Sequence, residues 1–189
     1  MKSTALAVLF LLFSVIPSLA AKPAFKTLVI EDISFVGADI HDISDEDKPV
    51  LEKYKTKAAT DFRNQVTDYL KPKNIFQNIT DKATGSADEV ILQTRFTEIQ
   101  FGSPGRRAAR FFLFFIPIGG TFDLGIKGRL LDGKSKAEIL NQHQSTNTGW
   151  YKGDTAETLA QYSKDLAIGF AELVESFMTD EYEPVKGEW

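Results

Sequence analysis

Two stretches of this 189-residue chain place apolar residues at every third or fourth position for about twenty residues, and between them lies nearly everything that reads as strand. Leu51, Tyr54, Ala58, Phe62, Val66 and Tyr69 form one stripe; Leu159, Tyr162, Leu166, Phe170, Leu173 and Phe177 form the other. That spacing puts each set on one face of a helix, so amphipathic helices are predicted over residues 45–70 and 155–178. Lys53, Lys55, Lys57, Asp61, Arg63 and Asp68 fall mainly outside the first stripe. Two matched apolar stripes need a common surface to cover, and the residues around them must supply it as a sheet.

The strand signals agree. Residues 25–35 are rich in apolar and β-branched residues and free of Pro and Gly, with Val29, Ile33 and Phe35 on one face and Leu28 and Ile30 on the other, as in an interior strand. Residues 74–80 form a short second strand behind Pro72, which ends the first helix. Residues 89–101 make a third, in which Val90, Leu92 and Phe96 share one parity and Ile99 and Phe101 the other, so a bulge is expected near Thr97 and Glu98. Phe122, Leu124, Ile126 and Leu130 alternate with polar residues or Gly; Asp132-Gly133 turns the chain, and residues 137–146 return as a partner strand whose polar end runs into solvent. The expected fold class is α/β: a two-layer sandwich, a mixed sheet of about five strands with two amphipathic helices on one face. A crossover through the first helix makes the first two strands parallel.

The first twenty residues carry Lys2, an apolar run from Ala5 to Ile16, Pro17 and the small-x-small triplet Ser18-Leu19-Ala20. This is the pattern of a secretory signal cleaved after Ala20, with an apolar run too short for a comfortable span. The expected organisation is a signal at 1–20, a single α/β domain at 21–180 and an acidic tail at 181–189, with no transmembrane helix in the mature chain. Removing Lys2 makes the charge one unit more negative than the −4 of the whole chain, which disfavours nucleic acid as a partner. The absence of cysteine excludes disulfides, thiolate nucleophiles and Cys-based zinc sites, and fits a bacterial periplasm or outer-membrane association better than animal secretion.

Residues 102–120 read GSPGRRAARFFLFFIPIGG, with arginines beside an apolar run broken only by Pro117. The run 111–118 spans roughly 26 Å extended and about 12 Å as helix, so it cannot cross a membrane as one helix. It is either a covered strand of the core or a contact with a membrane surface or a partner's groove. In the second case Arg106, Arg107, Arg110, Phe111, Phe112, Phe114 and Phe115 are the contact residues, the guanidinium forks suiting phosphate or carboxylate.

Other chemistry is thinly marked. Asp39, His41, Asp42, Asp45, Glu46 and Asp47 have metal-ligand types but lack the calcium-loop pattern, and the last three sit where a helix start favours acids. Ser44 with Asp47 resembles a capping box with the shorter acid. His41 and His143 stand in separate contexts, and no nucleophile elbow, phosphate-loop spacing or dinucleotide glycine fingerprint occurs, so no cofactor and no catalytic residue is expected.

Gly85-Ser86-Ala87-Asp88 with its strand, Gly105-Arg106-Arg107-Ala108-Ala109-Arg110, Leu130-Leu131-Asp132-Gly133 and the closing Ala/Leu-rich helix together resemble the bacterial family called domain of unknown function 4410, over about residues 25–178. The resemblance implies export, often as a lipoprotein, and an uncharacterised function; this chain has no processing Cys. The expected function is a non-catalytic envelope domain that binds a protein partner or the membrane surface. The alternative is an exported hydrolase or a small-ligand or metal-binding protein using the acidic connector.

Overall fold

The structure, a computed structural model, describes residues 25–101, 122–148 and 155–179. In chain order these form β1 (Thr27–Ile30), β2 (Asp39–His41), α1 (Lys48–Leu70), a 3-10 turn (Lys71–Lys73), β3 (Asn78–Thr80), β4 (Glu89–Gln100), β5 (Phe122–Asp132), β6 (Glu138–Thr148) and α2 (Thr155–Met178). The sheet order is β3-β1-β4-β5-β6, with β2 beside the far end of β4. β1 runs parallel to β3 and β4, β2 runs parallel to β4, and β4, β5 and β6 are successively antiparallel. This is the expected mixed sheet with two helices, and β1 and β3 are parallel as the crossover requires.

The main core lies between the sheet and the two helices. Leu28 and Ile30 of β1, Val90, Leu92 and Phe96 of β4, and Leu124, Ile126 and Leu130 of β5 are buried against Leu51, Ala58, Phe62 and Val66 of α1 and Leu159, Leu166, Phe170 and Val174 of α2. Each large apolar side chain removed from water contributes about 1.5–3 kcal/mol, so these stripes decide the layer arrangement. Aromatic rings tie the layers: Phe35 stacks on Phe96 at 4.4 Å between centroids, and Tyr54 meets both edge-on. Gly128 lies under Phe170 so closely that a Cβ there would overlap the ring, 2.8 Å from Cδ1.

On the other face of the sheet Val29, Ile91 and Leu131 form a small buried cluster. Beside it polar side chains run across the strands: Arg129 Nε donates to Gln93 Oε1 at 2.7 Å, and Gln93 Nε2 donates to Glu31 Oε2 at 2.7 Å. Arg129 also lies 3.6 Å from Glu138. An amide side chain both donates and accepts, so Gln93 joins a carboxylate to a guanidinium.

The bulge is where the parity change puts it. Pairing of β4 with β5 shifts between Phe96 and Glu98, which returns Ile99 and Phe101 to the core side. Gly125 faces the extra residue, since a Cβ there would sit 2.5 Å from Thr97 Oγ1.

Three expectations need correction. α1 begins at Lys48 rather than residue 45, because Asp47 stands at the N-cap and Ser44 closes a turn onto it. The strand expected at 25–35 stops at Ile30: Ser34 keeps one bridge to Arg95, the chain leaves the sheet around Gly37 (φ +78°), and β2 resumes the same side of β4. The break also moves Ile33 into the core with Leu28 and Ile30, away from Val29. The strand expected at 74–80 is only Asn78–Thr80, since Asn74 takes a left-handed conformation and ends the 3-10 turn.

Candidate functional site

Two connections singled out in the sequence meet at one end of this sheet. β4 ends at Gln100, and Asp123 near the start of β5 is its partner. Phe101 and Phe122, which flank the gap between those strands, are buried and stacked with centroids 5.2 Å apart. Phe122 also packs against Tyr162 of α2 at 5.1 Å and is paired with Thr148, the last residue of β6. Residues 102–121 therefore leave and rejoin the domain through two adjacent, anchored positions. Arg106, Arg107, Arg110, Phe111, Phe112, Phe114 and Phe115 lie outside the described residues.

The acidic connector reaches the same end. β2 pairs Asp39 with Glu98, Ile40 with Ile99 and His41 with Gln100. The His41 ring lies between two carboxylates, Nδ1 3.6 Å from Asp39 and Nε2 3.7 Å from Glu98. Gln100 Nε2 donates to Asp42 at 2.7 Å, and Lys48 Nζ donates to Asp45 at 2.6 Å, which holds the Asp45 carboxyl below its ordinary value. Asp47 is buried; it accepts the Ser44 hydroxyl at 2.5 Å and the Thr155 hydroxyl at 2.7 Å, tying the first turn of α1 to that of α2. Asp47 thus joins the starts of two helices through hydroxyl groups and makes no side-chain cap to α1 itself, where the sequence pattern predicted one. Among the described residues no group of three or more acids, histidines or cysteines is arranged to hold a metal ion.

Behind this end α1 and α2 lie side by side. A cleft of about 310 Å³ between them is lined by Tyr54, Asp61, Gln65, Glu157, Ser163 and Lys164. Ser163 Oγ donates to the Leu159 carbonyl at 2.7 Å and so accepts from the Tyr54 hydroxyl; burial pushes that phenol well above its ordinary pKa and keeps it neutral. The pair satisfies itself and leaves no activated nucleophile. His143 belongs to β6, but its side chain is outside the described residues.

At the opposite end of β4, Glu89 was not singled out from the sequence. Its carboxylate is buried and accepts the Thr84 hydroxyl at 2.7 Å and the backbone N–H groups of Thr84, Gly85 and Ser86 at 3.0 to 3.2 Å. The Thr84 hydroxyl first, and then the three amides, hold its pKa below the ordinary glutamate value against the opposing effect of burial. An acid closing a Thr-Gly-Ser turn is the signal that marks it.

The family model described as domain of unknown function (DUF4410) matches residues 28–166. No curated protein matches the chain in sequence. Among solved structures, an uncharacterized protein shares the fold with a TM-score of 0.51 and 12% identity, over 79% of this chain and 92% of that one. The PelC dodecamer from Paraburkholderia phytofirmans aligns at a TM-score of 0.46 and 10% identity, over 77% of this chain and 86% of its own. A minor lipoprotein from Acinetobacter baumannii aligns at 0.47 and 10%, over 86% of this chain and 99% of its own. At 12% identity the likeness to the first of these is one of fold alone.

Proposed function

The chain belongs to the DUF4410 family, and from that premise we propose that it is an exported, non-catalytic domain of the bacterial envelope that binds a protein partner or the membrane surface. Export rests on the signal-like residues 1–20, and a periplasmic or outer-membrane-associated address follows from export without cysteine. Among the described residues no helix is long and apolar enough to cross a membrane.

The contact in this reading is Arg106, Arg107, Arg110, Phe111, Phe112, Phe114 and Phe115. The observation that carries it is the stacked pair Phe101 and Phe122, which pins both ends of that segment at one end of the sheet. Arginine beside a contiguous apolar run suits an anionic surface with an apolar layer behind it.

The test replaces Phe111, Phe112, Phe114 and Phe115 by Ser. The expected result is an unchanged circular dichroism spectrum with loss of co-sedimentation on anionic vesicles or of co-purification from crosslinked envelopes. A variant that unfolds would assign the segment to the core and remove the contact reading.

A further inference from the structure

α1 and α2 run parallel and are tied near both ends, at their starts by the Asp47–Thr155 bond and near their ends by Tyr69, whose hydroxyl donates to Glu175 at 3.1 Å. The cleft of about 310 Å³ lies between these ties, at the small end of the range usual for ligand sites. Its buried floor is the Phe62 ring and the Tyr54–Ser163 hydroxyl pair. Both hydroxyl hydrogens are committed, that of Tyr54 to Ser163 and that of Ser163 to the Leu159 carbonyl. The floor therefore has only lone pairs to offer and calls for a donor.

The walls are polar and carry unspent groups. Among the described residues Gln65 on α1 and Glu157 and Lys164 on α2, all lining the cleft, make no hydrogen bond or ion pair. Gln161 spends its amide on Asp165 at 2.8 Å and keeps its carbonyl oxygen, while Asp61 is held by Lys57 at 3.1 Å. Glu157 and Lys164 stand seven positions apart, which places them on one face of α2 with about 10 Å of helix between them. Between them Ala160 adds little bulk, so the centre of the cleft has room for a backbone and little more.

We infer that this cleft binds a short peptide with free ends, two or three small residues long, its ammonium against Glu157 and the Tyr54 oxygen and its carboxylate against Lys164. Three extended residues span about 10 Å, the same distance as the two charges of the wall. The charges of a single amino acid lie too close together to reach both. Gln65 and the Gln161 carbonyl face the middle of such a ligand, where amide groups both donate and accept. The site shares no residue with the contact proposed at residues 102–121, so either can fail without the other.

Tri-alanine titrated into the purified, isotope-labelled chain is expected to move the backbone amides of Gln65, Ala160, Gln161 and Ser163 and to saturate with a Kd of about 1 mM or tighter. Glu157→Gln and Lys164→Gln, both at exposed positions, should each weaken binding by about fivefold or more and leave the rest of the spectrum unchanged. Tri-alanine acetylated at its amino end and amidated at its carboxyl end should give no shifts. Ala160→Trp, which fills the cleft, should abolish binding; if that variant does not fold, the charge variants and the blocked peptide decide. Absence of saturable shifts, equal binding of the blocked peptide, or affinity indifferent to both charge variants overturns the inference.

Discussion

The Gly133 amide donates to the Glu89 carbonyl at 2.9 Å, and a Cβ built on Gly133 would lie 2.5 Å from Glu89 Cβ and 2.7 Å from the Ser86 carbonyl. Two of the short motifs that carry the family likeness, Gly85-Ser86-Ala87-Asp88 and Leu130-Leu131-Asp132-Gly133, are therefore one piece of structure. Because the crowding involves backbone, Gly133→Ala is expected to destabilise the domain by about 1–3 kcal/mol in urea unfolding. Gly128→Ala acts on a different element by the same means, since Phe170 must leave a fully buried position, and should cost a similar amount.

Glu89 should give the fold an acid-sensitive joint. Its folded pKa lies below the roughly 4.3 of an unperturbed glutamate, so its contribution is full above that value and is lost as the pH falls through the depressed one. Asp132, lowered first by the Ser135 amide and then by the Ser135 hydroxyl, has the same sign. Stability measured against pH should fall steeply on the acid side for the wild type and less steeply for Glu89→Gln. At neutral pH Glu89→Ala, which leaves several amides without an acceptor, should cost about 1–3 kcal/mol.

The hydroxyl pair between the helices predicts an asymmetry. Tyr54→Phe removes a donor while Ser163 keeps its bond to Leu159, so the loss should be about 0.5–1.5 kcal/mol. Ser163→Ala leaves a buried phenol unpaired and should cost more, about 1–3 kcal/mol. In a thermodynamic cycle the double variant should lose less than the two single losses added together.

Asp47 links residues 108 positions apart through its bond to Thr155. Asp47→Ala should therefore speed amide exchange in the first turns of α1 and α2 together, whereas loss of an ordinary cap would fray α1 alone.

Patterns that depend on neighbours a few positions away were legible in the sequence. α2 matches its stripe, and the bulge near Thr97 follows from the parity change between Phe96 and Ile99, because a buried face leaves a strand no freedom to slip. Features imposed by distant partners were not. Asp39–His41 reads as a loop because Ile40 is its one apolar residue; it becomes a strand only because the end of β4 lies beside it. The Asp47–Thr155 bond and the closeness of Gly133 to Glu89 likewise need the folded chain before any pattern shows them. For the candidate site, residue types were visible, while the convergence of the connector, residues 102–121 and the start of α2 on one end of the sheet was a matter of topology.

The stacking of Phe101 on Phe122 bears on how such a domain can diversify. With Phe101 and Phe122 clamped side by side, lengthening the chain between them costs only about 0.6 kcal/mol of loop-closure entropy for each doubling of length. The clasp acts as a socket: what is plugged into it can be lengthened, shortened or exchanged between relatives, and the scaffold beneath need not be redesigned each time.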